Sequence, residues 1–338
     1  MQHLRDYQLS SSPKGPPELT ILDDAAYDRQ DVRDSVDSLE GYLHSLWHMY
    51  YQLGRHTSHE TTDQDRLVLD IVRIQGQGPL TRPVPGLYGV DIARTVKGTL
   101  WNDLPFLATD MADFWINNCA PMSGTQRLNF ATFLAKLAST RVSKDRICQI
   151  ALVPFRSTFE DRRELRYSEE PDEEQKSRKI DHLDITNLLP AAYAWFKEAG
   201  YNPIQLSDVC WNDCPSTIGQ GGQWFIESEL GKRSPAGFTP WRWMYWLKRL
   251  HEIRHEAKEV NEKRLEQYAT DAIELMVNQA NDRNSGILRA YRDGGDALHQ
   301  EKHLLCLQKK FEMPAWRSLS SIAECSSNDS RPQASKAP

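Results

Sequence analysis

Hydrophobic residues recur along this chain at steps of three and four, the signature of helices that bury one face. The plainest case follows Thr239-Pro240, where a hydroxyl able to cap precedes a proline suited to the first helical position. From there Trp243, Leu247, Leu250, Ile253, Ala257, Val260, Leu265, Tyr268, Ala272 and Leu275 form one stripe, with Lys and Glu opposite. Neither Pro nor Gly interrupts residues 241–280, so the pattern predicts one long amphipathic helix near 240–280.

The same spacing predicts helices over Asp31 to Gly54, Thr62 to Gln75, Trp101 to Asn117, Ser123 to Ser139 and Asp184 to Ala199, the last stopped by Gly200. Ser143 is expected to cap a further helix kinked at Pro154, and Asp282 to Lys310 carries a final interrupted one. GQGPLTRPVPG at 76–86 reads as a loop, 201–236 as irregular, and IGQGGQWF as a turn before a short helix. No alternating pattern of strand length occurs. The expectation is all-α: a single irregular domain of eight to ten helices over 18–313. A polar arm (1–17) precedes it, and a Ser-rich, disordered tail (314–338) follows it. Residues 160–180, with SEEPDEEQKSRK, read as an exposed acidic loop.

Composition changes this picture little. A net charge of −6 without clustered basic residues argues against nucleic acid as a partner, since phosphate neutralisation needs a basic footprint. No run approaches eighteen apolar residues, and MQHLRDYQLS has no apolar core. The expectation is therefore a soluble cytoplasmic or nuclear protein, neither secreted nor in a membrane. The six cysteines are scattered, and Cys210 and Cys214 lack zinc-knuckle spacing, so reduced thiols are expected.

His251-Glu252-Ile253-Arg254-His255 matches H-E-x-x-H, in which two imidazoles one turn apart hold zinc and the glutamate activates its water. Glu274 follows at a spacing resembling the third ligand of glutamate zincins. In one continuous helix, however, Glu274 would lie roughly 28 Å from His255. Both histidines fall on the flank of the stripe, towards water, and Arg254 and Glu256 add charge. His251, His255 and Glu274 are therefore rejected as a metal site, and no cofactor is expected. His44 and His48, an i, i+4 pair with no carboxylate pattern nearby in the sequence, read as ordinary helix histidines.

Four passages in order, LHSLWHMYYQLGRHT with DRLVLDIV, LWNDLPFLATDMADFW, RLNFATFLAKLAS, and LLPAAYAWFKEAG leading into GFTPWRWMYWLKRL, resemble the uncharacterised fungal family called domain of unknown function 3632. The most specific element is R-W-x-x-W-x-x-R-L, here Arg242, Trp243, Trp246, Arg249 and Leu250. The resemblance implies a helical fold and a fungal source but brings no catalytic residues. Some members resemble genes beside secondary-metabolite pathways. The tryptophans read first as core. Arg242, Trp243, Trp246 and Arg249 are the ligand-binding candidates, should they line a pocket for an acidic or planar ligand. The leading expectation is a non-catalytic helical protein binding a protein partner or small molecule. An accessory protein of a secondary-metabolite pathway and a zinc-dependent hydrolase are the alternatives.

Overall fold

A computed structural model describes residues 29–83, 89–165 and 173–308. The arm at 1–17, the tail at 314–338 and most of the acidic SEEPDEEQ run lie outside these residues. The all-α expectation holds. Thirteen α-helices and two minimal antiparallel ribbons make up the described regular structure, together with short 3-10 and π turns.

The N-terminal group comprises α1 (Arg29–His56), α2 (Thr62–Gly76), α3 (Leu107–Asn118) and α4 (Gly124–Ser139). In α1 the spacing of Leu43, Trp47, Tyr50 and Tyr51 carries all four into the interior. Ser123 starts α4 with a capping box: its hydroxyl accepts from Gln126 N, and the Gln126 side chain accepts from Ser123 N. The ribbons lie between α2 and α3. Thr81–Pro83 (β1) pairs with Val90–Ile92 (β2), and Arg94–Thr95 (β3) with Gly98–Thr99 (β4). The stretch expected to be only loop thus carries a strand. Helix α3 also starts later than expected. Trp101, Leu104 and Phe106 adopt left-handed backbone, making a tight turn that offers Pro105 O to the Trp47 indole at 2.7 Å.

Residues 143–160 differ from expectation. Ser143 is itself left-handed (φ 54°) and caps nothing. A 3-10 turn, a short helix α5 (Leu152–Phe155) and a π turn (Arg156–Glu160) follow in succession. Then come α6 (Ile185–Ala199), capped by Asp184 on Asn187 N, and α7 (Tyr201–Asp208). Gly200 is not a left-handed stop; its φ is −55° and α7 follows at once. Its missing side chain serves packing, because a Cβ there would lie 2.4 Å from both Phe196 O and Gln279 Oε1. The "irregular" 201–236 region holds α7, α8 (Ser216–Gly219) and α9 (Gln223–Glu227), the last after Gly222 as anticipated.

The largest correction concerns the long helix. It is two: α10 (Pro240–Glu259) and α11 (Lys263–Asp282), packed closely against each other. Asn261 sits at φ 58°, Asn261 N donates to Lys258 O, and Glu262 N donates to Ala257 O. These bonds form a Schellman motif with Asn in the left-handed position. The device recurs at Asn284 (φ 47°), where Ser285 N donates to Ala280 O before α12 (Gly286–Arg292). The last helix, α13, spans Asp296–His299.

The helices share one large core, beside which Ala120, Leu183 and Leu188 form a small satellite cluster. Helix α1 packs on α3 and α4, α4 on α6, α6 on α11, α11 on α10, and α10 on α7 and α12. Trp47, Trp115, Trp195, Trp243 and Trp246 are all closed to solvent within it. Among the described residues no helix is long and apolar enough to cross a membrane.

Candidate functional site

The binding candidates of α10 divide sharply. Thr239 caps the helix by accepting from Arg242 N at 3.0 Å, which fixes Arg242 in the first turn, fully buried. Its Nε and Nη2 donate to Glu160 Oε1 and Oε2 at 2.7 and 3.0 Å. Nη1 donates to Gly219 O and Gly237 O, and Nη2 also to Gln220 O. A guanidinium has five N–H groups, and all five are used. Glu160 is equally complete, accepting also from Trp246 Nε1 at 2.6 Å and from Gly222 N at 2.8 Å. Gly237 permits this closure: at φ 89°, any Cβ would stand 2.3 Å from Trp211 O. Arg242 and Trp246 therefore pin the 211–238 segment onto α10, while Trp243 packs in the core. No polar atom of the pair is left for a ligand.

Arg249 lies near the surface end of this layer. Its guanidinium stacks on the partly exposed Trp224 (5.5 Å) and bonds Glu252, while its Nε is buried without a partner.

HEIRH sits on a helix that ends at Glu259, and its two histidines lie in different surroundings. The corner at Asn261 folds α11 back, so the continuous-helix objection fails. Glu274 nevertheless lies roughly 16 Å along α11 from its start at Lys263, and His255 only about 6 Å before the end of α10 at Glu259, taking 1.5 Å per residue, and Glu274 is exposed. His251 is only partly open to water. It packs beneath the C-terminal segment, with Cys306 Sγ 3.7 Å from its Nε2 and the His303 ring 5.8 Å away. Burial, then Arg254 and His303, push its pKa down to about 4. His255 is exposed and pairs at 3.7 Å with Glu259. The two imidazoles thus have separate partners. Among the described residues, no group of three or more His, Cys, Asp or Glu side chains could hold a metal ion.

A cleft that the sequence did not announce lies between α1 and α3. His44, Ser45 and His48 line one wall, and Asp110, Asp113 and Phe114 the other, around about 530 Å³. His44 Nδ1 meets Asp110 Oδ2 at 2.7 Å, while the ring of Phe106 packs 4.5 Å from the imidazole. Asp110 is 8% exposed, yet His44 is its hydrogen-bonding partner at the carboxylate and half of His44 is open to solvent. Burial, reinforced by Asp113, raises the Asp110 pKa against the opposing pull of His44. His48 bonds Gln52 and packs edge-on to Phe114 (5.6 Å), and the Ser45 hydroxyl is spent on Gly41 O. The carboxylate missing beside His44 and His48 in the sequence is supplied by α3. Asp110 lies 66 residues from His44, and only the i, i+4 histidines and the i, i+3 aspartates hinted at two facing helix surfaces.

These features define an all-α protein whose most distinctive sequence passages build its core. The chain matches the family described as "Protein of unknown function (DUF3632)" over residues 47–250, more than half its length, and belongs to that family. The matched span contains Glu160, Arg242 and Trp246 as well as His48, Asp110, Asp113 and Phe114, and it ends just before His251. The chain is also similar to "Oxopyrrolidines biosynthesis cluster protein G" of Penicillium oxalicum. The two are 53% identical over 339 residues, covering 91% of this chain and 94% of the relative. No solved structure matches.

Proposed function

We propose that this chain is a non-catalytic accessory protein of a fungal secondary-metabolite pathway, acting by binding a small molecule or a protein partner. The observation that carries the reading is the near full-length, 53% identity to a protein named for a biosynthesis cluster. Supporting it, the residues that looked most like chemistry in the sequence are engaged elsewhere: Arg242 and Trp246 in a closed node, His251 beneath a neighbouring segment, and His255 at the surface. The zinc-hydrolase alternative draws no support from this arrangement.

The test is deletion of the gene in the organism that carries it, followed by mass spectrometry of secreted and cellular metabolites. The expected result is loss or altered ratio of one family of related compounds, restored by the intact gene. Unchanged metabolites under conditions where the gene is transcribed would reject the pathway role.

A further inference from the structure

The α1–α3 cleft combines features that select a ligand by charge. Its lining residues include two carboxylates, two imidazoles and an aromatic ring, and neither Lys nor Arg. Asp110 is nine-tenths buried, and only its Oδ2 is bonded, to His44; no described residue donates to its Oδ1. Asp113, one turn along α3, is exposed and also takes no hydrogen bond from the described residues. The Asp110 oxygen left without a protein donor is open to the cleft, and a donor that carries positive charge bonds such a carboxylate most strongly. Phe114 offers a ring to the same space, where an organic cation gains a further attraction.

We propose that this cleft binds a small organic cation, a protonated primary or secondary amine carried on an apolar body. The ammonium sits between Asp110 and Asp113, and the body lies against Phe114. His44 acts as a positioning residue: it takes one oxygen of Asp110 and so aims the other at the ligand. An anion finds neither Lys nor Arg here. A divalent metal is disfavoured because the four donor side chains are not gathered to coordinate one ion. The inference gives a site and a ligand class to the binding reading, but it stands apart from the pathway. A deletion strain with unchanged metabolites would remove the pathway role and leave binding in the cleft untouched.

The experiment follows the imidazole signals of the full chain, labelled with ¹³C-histidine, while benzylammonium is added at pH 7.5. Benzyl alcohol, benzoate and zinc chloride are added in parallel. Saturable shifts of His44 and His48 with benzylammonium alone are expected. Asp110→Asn should weaken binding about tenfold or more, the loss of one charge-assisted contact. Asp113→Asn, at an exposed position where folding is not at stake, should weaken it severalfold. Equal binding of benzyl alcohol or benzoate would overturn the proposal. So would benzylammonium affinity unchanged in both variants, or zinc alone perturbing these histidines.

Discussion

Two carboxylates of this protein, Glu160 and Asp110, are both removed from water and both meet a basic side chain, yet they are built to opposite ends. Glu160 accepts four hydrogen bonds, from Arg242 twice, Trp246 and Gly222, and each donor sits on an element that its own backbone already fixes. Asp110 meets one half-exposed imidazole at the edge of a cleft and is left with an unbonded oxygen. A buried charge is tolerated when every lone pair is occupied; one left partly unsatisfied marks a place where stability has been given up for something else. The first carboxylate closes the fold, and the second leaves it open.

The comparison can be broken most forcefully at Glu160. Replacing it with Ala strands the Arg242 guanidinium in the core, and urea denaturation should show a loss of about 3–5 kcal/mol, enough to unfold a marginal domain. A loss under 1 kcal/mol would mean the node is wetter than its geometry implies. Trp246→Phe keeps most of the ring but deletes one donor to Glu160, and should cost about 1–3 kcal/mol by the same measurement.

His251 offers an intermediate case, a partly buried base with no carboxylate partner. Its folded pKa, about 4, lies below the unfolded value, so the unfolded chain binds more protons between those two values. Its contribution to stability is therefore complete above pH 6.5 and is lost as pH falls through that window towards about 4. The slope of denaturation midpoint against pH from 4.5 to 6.5 should flatten in His251→Asn. An identical slope in the variant would remove His251 as its source.

Asp110→Asn should have the smallest effect on stability. The raised pKa of Asp110 means that folding disfavours its ionised form, so removing the charge relieves a penalty at neutral pH. Thermal unfolding should show a change within about 1 kcal/mol, in the stabilising direction. Marked destabilisation would place Asp110 with Glu160 as a structural carboxylate.

Several elements were legible because their signals are local. Ser123 and Gln126, Thr239 and Pro240, and the 3–4 spacing of Leu43, Trp47 and Tyr50 each decide something within a few residues of themselves. The break at 260–262 contains neither Pro nor Gly, so it carries none of the usual breaker signals. Asn261 does the same work, since its short polar side chain tolerates left-handed backbone. Ser143 misled in the other direction: a residue type that caps helices also suits turns.

The helical class, most helix positions and the burial of Trp47, Trp115, Trp195, Trp243 and Trp246 were readable from the chain because they follow from near-neighbour periodicity, and the family was readable from its resembling passages. Only the tertiary structure decided which charges are spent and which are free. Glu160 stands 82 residues from Arg242, and Asp110 stands 66 from His44. No periodicity links residues that far apart. Their pairing depends on how α3 meets α1 and how the 211–238 segment folds over α10, which the packing of the whole core sets.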